Sequence, residues 1–244
     1  MGFLDVSAGT LLVLAVSVTV GAVVQGSVGL GLGLVAAPVT ALVEPSLMPG
    51  LMLWLAVSLP LVTLLHDRSE VDWRGLRWAL PARVPGTVVG VLVVSWLADR
   101  TLGIVVGVMV LIAAGLTIWT IRVPVNRRTL VTAGCVSGVT GTATSIGGPP
   151  LALLYQRRPG RQVRSTLAVY FLVGAALSLV GLGLGGALHL RDLGLAAALV
   201  PCLLLGFAAA GPVRSRVDAG HTRAAVLSVC AASAIALLVR STVG

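Results

Sequence analysis

Small residues and hydroxyl side chains cluster in two segments of a chain that is otherwise strongly apolar. Residues 137–156 are SGVTGTATSIGGPPLALLYQ, and residues 25–39 are QGSVGLGLGLVAAPV. Glycine lets a backbone approach a ligand closely, and proline suits the first turn of a helix, where an N–H has no partner. We therefore predict a helix break in each segment, after which the free N–H groups and positive dipole end of a new helix can bind an anion.

The candidate substrate-binding residues lie at these two breaks, and no catalytic residue, metal ligand or cofactor is predicted. In the first segment they are Gln25, Gly26, Ser27, Gly29, Gly31 and Gly33. In the second they are Thr140, Gly141, Thr142, Thr144, Ser145, Gly147, Gly148 and Pro149. The alternative explanation for such glycines is close packing between membrane helices, which also favours small residues.

Composition indicates the environment in which the breaks lie. Of the 244 residues, 57% are hydrophobic and only 10% are charged, against about 25% charged in soluble domains. The net charge of +9 comes from 17 arginines and eight carboxylates, with no lysine. The arginines lie mainly in short loops between apolar runs. That placement indicates membrane topology rather than nucleic-acid binding. The fold class predicted is an all-α polytopic membrane protein.

Eight apolar runs are separated by arginine-bearing loops. They span about 7–43, 47–65, 78–97, 102–121, 130–156, 166–188, 193–213 and 224–239. Most are near the roughly 20 residues that a helix needs to cross a bilayer. The runs 7–43 and 130–156 are too long for one straight crossing, so each must bend or fold back at its glycine-rich break.

Self-comparison predicts two related halves, residues 1–121 and 122–244. When the sequence is aligned with itself at an offset of 112 residues, identical residues match: Gly26 with Gly138, Gly29 with Gly141 and Pro38 with Pro150. Further along the chain the offset is 120 residues, and the matches are Asp72 with Asp192, Pro81 with Pro201 and Gly86 with Gly206. Each half would contain a broken or re-entrant helical hairpin and three transmembrane helices.

The arginines predict the orientation of these halves. If each long run returns to its own side while the other six runs cross, 14 arginines share one face and only Arg100, Arg191 and Arg240 lie on the other. The positive-inside rule then places both termini outside and inverts one half relative to the other. We expect the two hairpin tips to meet near the membrane midplane.

Four segments resemble the TauE/SafE-type sulfite exporters, also called toluene sulfonate uptake permeases. They are SIGGPPLALLYQ (145–156), GSVGLGLGLVAAP (26–38), VDWRGLRWALPARVPGTVVG (71–90) and VRSTLAVYFLVGAALSLVGLGLGG (163–186). The resemblance implies a multi-pass transporter of the bacterial inner membrane, built from two related halves. It implies sulfur-containing anions such as sulfite or organosulfonates as substrates.

The predicted function is secondary transport, in the direction of export, of a small sulfur-containing anion bound by the two breaks. An anion channel, or an exporter of another class of metabolite, remains the alternative. An intramembrane enzyme is disfavoured because no histidine lies deep within an apolar run beside a candidate nucleophile. The expected partners are the anion and the lipid bilayer, with a homo-oligomer possible and no nucleic acid.

Overall fold

The computed structural model describes residues 6–66, 70–96, 99–118 and 123–216, and every regular element in them is helical. The predicted eighth run, 224–239, lies outside the described residues. The elements are α1 (Ala8–Val28), α2 (Leu32–Val43), a 3-10 turn (Pro45–Leu47), α3 (Gly50–His66), α4 (Trp73–Trp96), α5 (Asp99–Ile118), α6 (Arg127–Thr144), α7 (Pro149–Tyr155), α8 (Gly160–Leu184) and α9 (Leu190–Arg216).

Within the described residues, four helices are long and apolar enough to cross a membrane: α1, α4, α8 and the Leu190–Gly211 part of α9. Their outward surfaces are apolar, since Leu12, Leu184 and Leu205 each expose more than half of their surface area. Such an exposed apolar face suits lipid better than water. The protein is thus a helical, multi-pass membrane protein, as the composition predicted.

Helix breaks occur within the two long apolar runs, 7–43 and 130–156, as their length predicted. Between α1 and α2, Gly29 adopts the left-handed conformation at φ 96° and its N–H donates to the Gln25 carbonyl at 2.8 Å. The chain then turns back, so that the Leu32 backbone packs against Gly21. Between α6 and α7 the left-handed residue is Ser145, at φ 60°, and Gly147 packs back against Gly141.

The two arms of the breaks differ in length. At 1.5 Å per residue, the 21 residues of α1 extend for about 31 Å, enough to cross a hydrocarbon core of roughly 30 Å, whereas the 12 residues of α2 extend for about 18 Å. The corresponding figures are about 27 Å for α6 and about 10 Å for the seven residues of α7. Each broken run therefore consists of one long arm and one short arm.

Helices α4 and α6 pack backbone to backbone through four glycines. Gly86 and Gly90 face α6, where a Cβ at either would collide with the α6 backbone or the Thr142 side chain. Gly134 and Gly138 face α4 in the same way. Each pair is spaced by four residues, the small-xxx-small pattern that lets membrane helices approach closely.

A similar contact joins α1 to α9, with Gly26 and Gly206 at its centre. A Cβ at Gly26 would lie 2.7 Å from the Ala210 Cβ, and one at Gly206 would collide with the Thr19 carbonyl oxygen. The Thr19 hydroxyl also donates to the Cys202 carbonyl at 3.3 Å. The long arm of each broken run thus packs on a helix of the other predicted half.

Candidate functional site

The two breaks meet around one cavity of about 50 Å³. A Cβ at Gly33 would lie 2.6 Å from the Ser145 carbonyl oxygen, and one at Gly148 would lie 3.7 Å from the Leu30 Cβ. The predicted contact between the two tips is therefore confirmed. The cavity is lined by Gln25, Leu30, Gly31, Leu32, Gly33, Leu34, Met52, Leu53, Ala56, Arg83, Gly141, Ser145, Ile146, Gly147, Gly148, Pro149, Phe171 and Ala175.

Eight of the fourteen predicted binding residues line this cavity. They are Gln25, Gly31, Gly33, Gly141, Ser145, Gly147, Gly148 and Pro149. Gln25 and Gly141 lie near the ends of the long helices α1 and α6, and the other six lie at the turns or at the starts of the short helices. Their contact with a ligand stays a prediction, but the fold places them together, with α3 and α8 completing the wall.

The three other candidates of the first break do not line the cavity. Gly26 packs on α9, and the Ser27 hydroxyl donates to the Val23 carbonyl of its own helix at 2.7 Å. Gly29 lies against α8, where a Cβ would stand 3.3 Å from the Cα of Arg164. For Gly26 the alternative explanation, close helix packing, is the one that the structure supports.

The three threonines of the second break are also turned away from the cavity. The hydroxyls of Thr140 and Thr144 donate to carbonyls four residues earlier, at 3.1 Å and 2.7 Å. Thr142 is fully buried and shares a 2.8 Å hydrogen bond with Ser178 of α8. The Thr144 hydroxyl also accepts from the Ile146 N–H of the turn at 3.3 Å. The three hydroxyls thus bond within the protein, as short hydroxyl side chains in helices often do.

At the first break, the Gln25 side chain caps the start of α2. Its Oε1 accepts from the Leu32 N–H at 3.1 Å, which leaves the side-chain NH₂ group as the remaining donor. Gln25 is 8% exposed and lines the cavity together with Gly33 and Leu34 of α2. First-turn N–H groups have no acceptor within their own helix, so α2 presents donors here.

At the second break, hydroxyl groups hold the backbone in place. The buried Ser137 hydroxyl donates to the Gly147 carbonyl, and the Ser145 hydroxyl donates to the Pro49 carbonyl at 3.2 Å. Helix α7 begins with Pro149 and Pro150, neither of which has an N–H. With only seven residues and two missing donors, α7 offers less to an anion than the sequence-based prediction assumed.

Arg83 supplies a positive charge that the sequence analysis did not assign to the site. Its side chain is 3% exposed and lines the cavity, and neither Nε nor Nη1 has a hydrogen-bond partner among the described residues. The guanidinium Cζ lies 4.8 Å from the centroid of the Tyr170 ring. A Cβ at Gly174 would collide with the guanidinium, and one at Gly141 would lie 2.8 Å from Nη2.

The position of Arg83 along α4 corrects the arginine count. Arg83 is one of the 14 arginines that the positive-inside rule assigns to a single face. It lies, however, ten residues after Trp73 and thirteen before Trp96, or about 15 Å and 20 Å along the helix. Trp73 and Trp96 are 64% and 88% exposed, as interfacial tryptophans are. Arg83 is thus near the middle of a membrane helix, and the predicted ratio becomes 13 to 3.

A buried guanidinium whose Nε and Nη1 have no hydrogen-bond partner among the described residues has a clear chemical consequence. Removing a guanidinium from water costs several kcal/mol unless an anion or a set of acceptors compensates. Among the described residues no carboxylate lines the cavity. An anion entering from solution can therefore act as the counterion that the described residues do not provide at the cavity.

Comparison with known proteins identifies a family. A family model described as sulfite exporter TauE/SafE matches residues 13–237, which include both breaks and Arg83. Neither the curated proteins nor the solved structures contain a significant match.

Proposed function

The chain belongs to the sulfite exporter TauE/SafE family, and from that premise we propose that it is a secondary transporter that exports a small sulfur-containing anion across the bacterial inner membrane. The proposed substrate site is the cavity between the two breaks. The observation that carries the proposal is Arg83, a buried guanidinium without a hydrogen-bonded partner at Nε or Nη1 among the described residues, in contact with that cavity.

Three kinds of donor would hold the anion. The Arg83 guanidinium supplies charge-assisted hydrogen bonds, which are about twice as strong as neutral ones. The Gln25 side-chain NH₂ and the first-turn N–H groups of α2 supply neutral donors without adding charge. Tyr170 and Gly174 keep the guanidinium in place from the side of α8.

Alternating exposure of the site would come from movement of the pair α1 and α9 relative to the pair α4 and α6, because backbone-to-backbone contacts join each pair across residues 1–121 and 122–244. The exchanged packing also supports the proposed repeat, since α1 of the first half lies on α9 and α6 of the second half lies on α4. The matched residues Gly26 and Gly138 sit in these two contacts, as do Gly86 and Gly206. Two equivalent contacts of this kind are what an inverted repeat would produce.

The membrane potential would drive export. No carboxylate lines the cavity among the described residues, so a proton relay at the site has no evident carrier. One negative charge leaving the cell across about 100 mV, inside negative, gains roughly 2.3 kcal/mol. An anion uniporter therefore favours efflux, with the termini placed outside as the arginine ratio predicts.

Flux measurements in proteoliposomes test this proposal. The purified chain should exchange sulfite in counterflow, and a valinomycin-imposed potential should accelerate flux toward the positive side without a pH gradient. Accelerated exchange by unlabelled substrate on the opposite side is expected of a carrier, so its absence with intact flux would indicate a channel. Flux that ignores the potential and needs a proton gradient would contradict the uniport mechanism.

A pair of arginine variants tests the site itself. Arg83→Gln should lower flux at least about 100-fold, since about 3 kcal/mol of charge-assisted bonding is lost. Arg74→Gln changes an exposed arginine nine residues earlier on the same helix and should leave flux within about twofold. Equal flux in the two variants would remove Arg83 from the site.

A further inference from the structure

We infer that the cavity selects a singly charged anion with a short apolar part over a doubly charged oxyanion of similar size. This inference rests on the proposed function and specifies the charge and shape of the substrate. Its basis is the composition of the cavity wall, which joins one guanidinium to a predominantly apolar lining.

The charge balance comes first. Arg83 is the only charged side chain that lines the cavity among the described residues. One bound negative charge neutralises it, whereas a second would be removed from water without a counterion. Burying an uncompensated charge is costly. For a dianion, that cost offsets much of the favourable binding free energy contributed by Arg83.

Few neutral donors remain to offset that second charge, because only the first turn of α2 and the Gln25 side chain supply them. The Gln25 carbonyl oxygen is occupied by the Leu32 N–H, so one amide NH₂ remains, and the Ser145 hydroxyl is already donated to the Pro49 carbonyl. Pro149 and Pro150 remove two further N–H donors from the second break. The donor set thus suits the three oxygens of one monovalent head group.

The rest of the wall favours an apolar substituent. Leu30, Met52, Leu53, Ile146, Phe171 and Ala175 line the cavity around the guanidinium. In such surroundings each added methylene that fits improves binding about fourfold, the equivalent of about 0.8 kcal/mol. The cavity is small, about 50 Å³, and a methyl group is the shortest substituent that tests this preference.

Competition in proteoliposomes separates this inference from the proposed function. With the full chain at an acidic pH, where sulfite is mostly the singly charged hydrogensulfite and sulfate is still a dianion, methanesulfonate should inhibit sulfite counterflow at a concentration at least about tenfold lower than sulfate does. Hydroxymethanesulfonate has the same charge but a polar substituent, and it should inhibit less well than methanesulfonate. The same ranking is expected for ligand-induced increases in Tm of the detergent-solubilised protein, a readout that needs no transport.

The failures are distinguishable. If sulfate competes as well as methanesulfonate while sulfite counterflow is intact, the charge selectivity is wrong and the transport function stands. If hydroxymethanesulfonate equals methanesulfonate, the apolar part of the inference is wrong. If no anion is exchanged and none raises Tm, the proposed transport function falls and this inference falls with it.

Discussion

The two helix breaks line one cavity, but they are built differently. The first break supplies donors: the amide of Gln25 and the first turn of a 12-residue helix, α2. At the second break the Ser137 and Ser145 hydroxyls already donate to backbone carbonyls, so neither is free to donate to a ligand. This break leads into a seven-residue helix that starts with two prolines. The first break therefore contributes chemistry, and the second contributes shape.

This difference bears on the proposed repeat. Gly26 and Gly138 occupy similar helix contacts, as the repeat predicts. The charge, however, comes from one side only, because Arg83 belongs to α4 and its counterpart at an offset of 120 is Leu203. The proposed repeat therefore requires matching helix contacts in both halves but only one guanidinium.

The largest expected effect tests whether the second break contributes shape. Gly148→Leu places a branched side chain where even a Cβ lies 2.9 Å from Phe171. It should fill the cavity and reduce flux more than about 100-fold while the protein still inserts. Gly115→Leu is the control, since no atom lies within 4 Å of a Cβ at Gly115 on α5. Normal flux in Gly148→Leu would mean that the substrate does not use this cavity.

A somewhat smaller effect tests whether the first break contributes chemistry. In Gln25→Glu the carboxylate can still accept from the Leu32 N–H, so the cap on α2 is kept, but a negative charge now shares the cavity with Arg83. Anion flux should fall at least about tenfold with little change in Tm. Gln156→Glu, at an exposed position after α7, should transport normally. Retained flux in Gln25→Glu would place the substrate away from the first break.

The smallest effect concerns the braces of the second break. Ser137→Ala removes the donor to the Gly147 carbonyl and should lower the free energy of unfolding by about 1 kcal/mol, seen as a lower Tm in detergent, with flux within about tenfold of the parent. Thr140→Val removes a hydroxyl that bonds only within α6 and should change Tm less. A reversed order of the two Tm values would contradict the bracing role of Ser137.

The sequence was sufficient to locate the breaks but not to orient the side chains around them. The run 7–43 is too long for one crossing, and the glycines and prolines mark where it must turn; both are properties of the chain alone. From their residue type, Thr140 and Thr144 were predicted to bind the ligand, yet the hydroxyl of each donates to the backbone carbonyl four residues earlier. Such local bonding is available to any helical threonine, so residue type cannot decide its direction.

Arg83 was missed because a topology count treats all arginines alike. The useful signal was present in the sequence: Arg83 lies within the run 78–97, with tryptophans flanking it on both sides at roughly half a membrane thickness. An arginine so placed is expensive and functional by default. Which residues surround it could not be predicted, because Gly141, Tyr170 and Gly174 come from α6 and α8 of the other predicted half.

The exchanged helix contacts also constrain how the protein is made. Thr19 of α1 bonds to Cys202 of α9, 183 residues later in the chain. At about 5–20 residues per second of synthesis, roughly 10 to 40 seconds pass between the two helices leaving the ribosome. During that interval α1 holds its glycine-bearing face, including Gly26, without its partner. Assembly of the bundle therefore depends on late-made helices, and a chain that stops before α9 leaves that face for lipid or the membrane quality-control machinery to cover.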